Sequence, residues 1–514
     1  MSTKLRNFSD FIEILSSHDG DSVALIDDSS GTKITYSKLI TLIKIVSAKL
    51  KSVGVKKNDR VLLFDVHNID WVIHFLSLQC LQAIVVPLDK RLHTDTVQSV
   101  EKKVGPSLII SNSYQSKTGS KTIRPFKGDT KTKVGRTFDK ILSEFVDAEI
   151  PSEIILTSGT WAEPKGVTLT QQNLMANLEA TTQAFKADSK ERLLSILPLS
   201  HAYEQMCGLL MPLYFGASIV YIKELTPVSL KLALKQQKIT IIVAVPRVLE
   251  LLKKGILKKI PKKLHNHFEL FVKRARLLPS WLLKILFWPI HKNLAPHLNY
   301  LIVGGAPLNQ ELDHFFQGLG YTVGVGYGLS ETSPVISFDN QQKNRKLKSV
   351  GRILHNVKFR FNQKNELLVA GPAVFKGYWP DTRSSRWFNT GDVGYLDENN
   401  NLILTGRTKS LLVFPSGDKL YLEDIEHIVD QYPQVEESCV LYHEKHSHHG
   451  INLLVCAQTI DTVKLIKYTN ERLPLSAQVR QVINIFPQKL HRTHTLKLSR
   501  NKNWQEYSAL LNSQ

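Results

Sequence analysis

Apolar positions along this chain alternate between two periods. In TYSKLITLIKIVSAKL (residues 35–50), Leu39, Ile43, Val46 and Leu50 fall on one helical stripe. DRVLLFDV (59–66) then reads as a buried strand, IDWVIHFLSLQCLQ (69–82) as a helix and AIVVPLD (83–89) as the next strand. The same rhythm returns in SIVYI (218–222), the helical stretch 226–237, ITIIVAV (239–245) and NYLIVGG (299–305). Strands alternating with helices predict an α/β fold of mostly parallel sheets covered by helices. From about residue 347 the texture changes to short strands and turns, as in ELLVAGPAV (366–374) and NLILTGR (401–407), which predicts a small barrel or antiparallel sheet. After Gly406-Arg407 the remainder reads as a compact α+β unit. The expected division is a large part over 1–406, with its barrel-like piece at 347–405, and a small part over 407–514.

Composition narrows the class. A chain of 514 residues with 42% hydrophobic and 22% charged residues is an ordinary globular protein, long enough for two or three domains. Cys80, Cys207, Cys439 and Cys456 show no CxxC spacing, so reduced thiols and a cytoplasmic setting are expected. Asp10 and Glu13 stand where a secretory signal would be apolar. The longest apolar runs, near 208–222 and 277–290, fall short of the roughly 18 residues of a membrane span.

The net charge of +20 is the outlier. It fits nucleic acid, anionic lipid, or polyanionic small molecules such as ATP and coenzyme A. The zinc-finger, basic-heptad and RNA-binding signatures are missing, so no nucleic-acid role is expected. Much of the excess clusters in 253–292, where Lys253, Lys254, Lys258, Lys259, Lys262, Lys263, Lys273, Arg274 and Arg276 precede LLPSWLLKILFWPI. Basic residues beside a Trp/Leu/Phe-rich stretch suit peripheral contact with an anionic membrane at its inner face. A solvated helix face beside a buried one accounts for the pattern equally well.

TSGTWAEPKG (157–166) carries the first candidate chemistry. It lies between EIILT and VTLT, both strand-like, and no GK[ST] or helix start follows, so it is not a Walker loop. Thr157, Ser158 and Thr160 offer hydroxyl donors, Gly159 permits close backbone approach to an anion, and Lys165 adds a cation. These are the parts of a phosphate-binding loop, and also of a bland Ser/Thr/Gly turn.

Further segments stand in order along the chain: GYGLSET (326–332), SVGR (349–352), NTGDVGYLDENNNLILTGR (389–407) and RTHTLKLSR (492–500). Together with the loop, they resemble the adenylate-forming, AMP-binding superfamily over nearly the whole chain. LPLSHAYEQ (197–205), VPRVLELL (245–252) and the Thr-Leu-Lys form of the last motif are most similar to its long-chain fatty acyl-CoA synthetases. The resemblance implies ATP-dependent activation of a fatty acid to acyl-AMP, then transfer to coenzyme A. In such a reaction negative charge gathers on phosphate oxygens, and placed cations and donors must meet it.

By this resemblance the 157–166 loop holds the β- and γ-phosphates, and Glu331 is the ligand of a magnesium ion. Ser330 stands for the usual Thr at the α-phosphate. Tyr327, followed by Gly328, packs on adenine, and Gly304, Gly305 and Ala306 form the opposite wall. Asp392 takes the ribose hydroxyls, with Arg407 beside it. Lys497 bridges carboxylate and α-phosphate, and His201 lies at the carboxylate end of an acyl tunnel lined from 201–216, the 240s and 300–335. The small part is implied to rotate about Lys409, bringing the loop around Gly417 to the centre for thioester formation.

Several positions depart from the family pattern. Trp161 and Ala162 replace Thr/Ser and Gly in the loop, Ser410 replaces an Asp after the hinge, and Leu496 replaces a Gly. An alanine at a positive-φ position costs about 1 kcal/mol, which weakens a phosphate loop without abolishing it. Two alternatives stay open: transfer to an acyl-carrier-protein thiol, or a catalytically weak relative that binds acyl chains or nucleotides. The cluster His443, His446, His448 and His449 has no counterpart in the resemblance and reads as an ordinary loop.

Overall fold

The computed structural model describes residues 5–66, 68–126, 138–139, 141–142, 148–157, 165–340, 345–383, 385–413, 419–441, 451–493 and 498–512. The predicted alternation builds two large sheets. In the nine-stranded sheet six strands run parallel, in the spatial order Thr322–Gly328, Tyr300–Val303, Ile241–Ala244, Arg192–Ser195, Ser218–Tyr221 and Val23–Asp27. Antiparallel strands close both of its edges. The seven-stranded sheet runs parallel from Pro151–Thr157 through Ile84–Pro87, Arg60–Leu63 and Leu108–Ile110 to Lys121–Ile123, and carries antiparallel Lys165–Thr170 and Gly377–Tyr378 at the other side. The inner strands are near-continuous apolar runs because helices bury both of their faces.

Helix Tyr36–Ser52 shows how the pattern becomes structure. The Thr35 hydroxyl caps its first turn by accepting the Lys38 N–H, and Leu39, Leu42, Ile43, Val46 and Leu50 are buried along one stripe. Helix Gln171–Ala184 begins at a reciprocal cap between Thr170 and Asn173. Its inward amides tie distant segments together. Asn173 donates to the Pro372 and Val374 carbonyls, and Asn177 to those of Thr332 and Val335.

The barrel-like texture after 347 corresponds to a four-stranded antiparallel sheet ordered Lys358–Phe361, Glu366–Ala370, Phe388–Leu396, Leu402–Arg407. One 3-10 turn, Thr408–Ser410, follows it. Beyond that turn come the hairpin Leu411–Val413/Lys419–Tyr421 and a three-stranded sheet, Glu437–Leu441, Ile451–Cys456 and Val479–Asn484, covered by helices. Residues from this stretch alone build two further cores, one around Ile425, Val429, Leu453 and Leu465, the other around Cys439, Leu454 and Tyr507. All four cysteines are free and buried. Among the described residues no helix is long and apolar enough to cross a membrane.

Candidate active site

An open α/β sheet ordinarily places its ligand outside the carboxyl ends of its parallel strands, and the candidate residues gather at those ends of the nine-stranded sheet. Tyr300–Val303 and Thr322–Gly328 are paired neighbours there. The first runs into Gly304-Gly305-Ala306, with Gly305 at φ +79°, a conformation that a side chain would strain. A Cβ at Gly304 would lie 2.8 Å from the Tyr203 ring, whose hydroxyl donates to the Ile302 carbonyl at 3.2 Å. The missing side chain therefore lets an aromatic ring of the protein itself lie against the backbone.

Tyr327, at the end of the second strand, donates its hydroxyl to Asp392 Oδ2 at 2.6 Å. Arg407 Nε donates to Asp392 Oδ1 at 2.6 Å, because the hairpin register sets these two residues directly opposite each other. Asp392 is only 4% exposed. Burial pushes the Tyr327 hydroxyl well above its ordinary pKa, and the Asp392 charge adds to the effect. Partial desolvation works against the charge of the half-exposed Arg407, but the Asp392 carboxylate outweighs it and raises the guanidinium.

A second group sits beside the first. Ser330–Thr332 form a single 3-10 turn held by Asn177, and Glu331 Oε1 accepts the Tyr378 hydroxyl at 2.8 Å. Lys165 Nζ stands 5.0 Å from the centre of the Tyr378 ring. Tyr378 arrives there because its short strand pairs with Val167 and because Asn173 fixes the preceding backbone. Burial, then the Glu331 charge, raises the Tyr378 hydroxyl. Tyr327 and Glu331 stand four residues apart on one strand–turn segment, which links the two groups.

Six side chains from three sheets therefore meet: Tyr327 and Glu331 from the edge of the nine-stranded sheet, Lys165 and Tyr378 from the seven-stranded, Asp392 and Arg407 from the four-stranded. Ser330 and Gly328 flank Glu331 on the same segment. His201 lies between strand Arg192–Ser195 and the buried π-helix Glu204–Leu210, its N–H on the Pro198 carbonyl. Thr157 and Lys165 face each other across the strand pair that carries the loop, with Thr157 Oγ1 3.4 Å from the Lys165 carbonyl. Ser158, Gly159, Thr160, Trp161, Ala162, Gly417, Lys497 and the histidine cluster lie outside the described residues. Lys409 sits in the turn Thr408–Ser410.

Sequence reasoning missed Tyr378, Tyr203 and the positioning amides Asn173 and Asn177. Tyr378 reaches Glu331 across 47 residues of chain and the others act across more than ninety, so local spacing carries no sign of them. It also missed Glu204 and Glu153, both buried, whose carboxyls are pushed up to about 8 by burial.

The AMP-binding enzyme family profile matches residues 14–379, and the chain belongs to that family. At that level it is an adenylate-forming ligase. The long-chain-fatty-acid–CoA ligase FadD15 of Mycobacterium bovis is 26% identical over 477 residues, covering 80% of this chain and 76% of its own. The chloroplastic long-chain-fatty-acid–[acyl-carrier-protein] ligase AEE15 of Arabidopsis thaliana is 26% identical over 540 residues, covering 82% and 72%. Among solved structures, O-succinylbenzoate coenzyme A synthetase (MenE) of Bacillus subtilis in complex with AMP has a TM-score of 0.75 at 20% identity, over 96% of this chain and 97% of that one. The same synthetase in complex with ATP and magnesium ion also has a TM-score of 0.75, at 19% identity.

Proposed function

We propose that this ligase activates a long-chain fatty acid with ATP and passes the acyl group to coenzyme A. The observation that carries the reading is the meeting of Tyr327, Asp392 and Arg407 with Glu331, Tyr378 and Lys165 at the ends of three sheets. In the first half-reaction a carboxylate oxygen attacks the α-phosphorus. The bond to the β-phosphate oxygen breaks, and pyrophosphate leaves. In this reading Asp392 accepts the ribose hydroxyls, Tyr327 flanks the base opposite Gly304–Ala306, and Ser330 points its hydroxyl at the α-phosphate. Lys165 and the loop hydroxyls meet the outer phosphates, and Lys497 offsets charge between carboxylate and phosphorus. The Glu331 carboxylate, oriented by Tyr378, is a hard oxygen donor of the kind magnesium takes, and the bound ion would neutralise phosphate charge. In the second half-reaction the thiol attacks the acyl carbonyl and AMP leaves. Rotation of the small part about Lys409 would exchange Lys497 for the Gly417 loop between the two steps.

The fatty substrate is supported by the long-chain ligases at 26% identity. AEE15, at the same identity as FadD15, supports a second reading in which a carrier-protein thiol is the acceptor. AMP release from ATP and magnesium, across acids of rising length with and without coenzyme A, separates the two. Release that requires both a long acid and coenzyme A is expected. Acid-dependent pyrophosphate exchange without coenzyme A turnover would move the acceptor to a carrier protein. Turnover with aromatic dicarboxylates alone would remove the fatty substrate.

A further inference from the structure

We propose that the outer face of the helices between residues 246 and 294 is a docking surface for an anionic lipid bilayer. Strands Ile241–Ala244 and Tyr300–Val303 are parallel neighbours, and one crossover helix suffices to join such a pair. Here the connection carries four helices, Pro246–Leu257, His265–Ala275, Ser280–Leu286 and Trp288–Leu294. The first covers the sheet with Val248, Leu249 and Leu252. The other three are held inward by a few side chains, chiefly Val272, Leu283 and Phe287, and present apolar residues outward.

Leu278 just before helix Ser280–Leu286, Trp281 and Ile285 four apart within it, and Trp288 at the start of the next helix are 39%, 64%, 64% and 56% exposed. Trp281 and Ile285 each lie about 200° around the helix from buried Leu283, on the side facing away from the protein. This inverts the usual arrangement of a surface helix. Of the nineteen large hydrophobic side chains exposed among the described residues, ten fall between Leu251 and Trp288, so the exposure is a patch and not scatter. Val228 and Leu232 extend it from helix Pro227–Gln236, which packs against Trp288–Leu294.

The charge of the segment selects the occupant. Residues 251–292 hold eleven Lys and Arg and one acid, Glu269, a surplus of ten in a chain of net +20. Lys253 takes up that acid at 2.9 Å. Lys273 and Arg274 are exposed beside half-exposed Phe271, whose ring meets Phe287 at 5.9 Å. The Lys292 ammonium stands 4.5 Å from the Trp288 ring, at the apolar stripe itself. Tryptophan, leucine and isoleucine flanked by cations match acyl chains beneath acidic headgroups. Nucleic acid would answer the charge but leave the Trp281 and Ile285 stripe uncovered.

The test is co-sedimentation of the full chain with phosphatidylcholine vesicles, with and without phosphatidylserine, at low and high salt. Binding is expected only with phosphatidylserine, and salt should weaken it. Replacing Lys258, Lys259, Lys262 and Lys263 with Gln should lower the partition by roughly 100-fold or more. Trp281→Ser with Ile285→Ser should abolish binding while circular dichroism and Tm stay unchanged, since both side chains are exposed. A wild-type protein that stays in the supernatant, or a Trp281/Ile285 variant that still pellets, overturns the proposal. A dimer in sedimentation velocity that the same variant converts to monomer also overturns it, by assigning the patch to self-association. No catalytic readout enters, so the result is independent of which acid the enzyme activates.

Discussion

Asp392 shows how much one side chain can hold. Its two oxygens receive Tyr327 and Arg407, from different sheets, at 2.6 Å each. Asp392→Asn keeps the shape but loses the charge that both donors answer. Acid-dependent ATP–pyrophosphate exchange is expected to fall about 100-fold. An unchanged rate would remove Asp392 from the reaction. Lys497→Ala is expected to slow adenylation by a similar factor, roughly 100-fold, yet spare thioester formation from supplied acyl-adenylate. Equal loss in both half-reactions would sink its role.

Glu204 makes a prediction about pH. Burial lifts its carboxyl to about 8, against weaker opposition from Ser195 and the Leu197 backbone, so the fold holds a proton that an unfolded carboxyl releases near about 4.3. Folding stability from this group is full below the unfolded pKa and declines as pH rises toward about 8. Glu204→Gln keeps the acceptor for Ser195 and removes the titration. Urea midpoints at about pH 5.5 and about pH 7.5 should differ less in the variant than in wild type, by up to about 1.4 kcal/mol per pH unit. An equal pH dependence would mean that Glu204 ionises freely.

At the scale of the element, the antiparallel pair of Thr322–Gly328 and Val335–Asp339 brings Tyr327 and Glu331 to the same place. Its register shifts between Tyr327 and Gly328, where the backbone closes onto the Pro334 carbonyl. A Cβ on Gly328 would lie 1.7 Å from that oxygen. Gly328→Ala must therefore move one strand of the pair, at a cost of about 3 kcal/mol. The displaced Glu331 turn should raise the KM for ATP as well. Normal Tm and KM would show that the edge strand is free to slide.

At the scale of the whole molecule, charged side chains stitch the small C-terminal unit to the rest. Arg247 lies 3.8 Å from Glu437, which Arg492 of the same unit holds at 2.6 Å, and Lys348 meets Asp424 at 2.8 Å. The Lys348–Asp424 pair is more than a third exposed, so salt is expected to weaken it. Small-angle scattering in rising salt checks this: a radius of gyration that grows supports the role of the pairs, and an unchanged radius removes it.

The alternation of strand and helix, the change of texture near 347 and the family motifs were all legible without coordinates. Each depends on contacts within one element or on residue types in linear order. The Leu39–Leu50 stripe and the apolar runs at 60–63 and 84–87 express burial that every segment needs, whatever its neighbours. Tyr378 on Glu331, Tyr203 against Gly304, and Asn173 and Asn177 bracing distant backbone were not legible. Their partners lie far away in sequence and become neighbours only when the sheets pack together. The 253–292 segment marks the boundary between the two kinds of knowledge. Its residues alone fitted a membrane-facing apolar surface and a solvated helix face beside a buried one equally well, because helical periodicity reports that a stripe exists and not which way it faces. Packing decided it: Leu283 and Phe287 took the interior, and Trp281 and Ile285 were left turned outward.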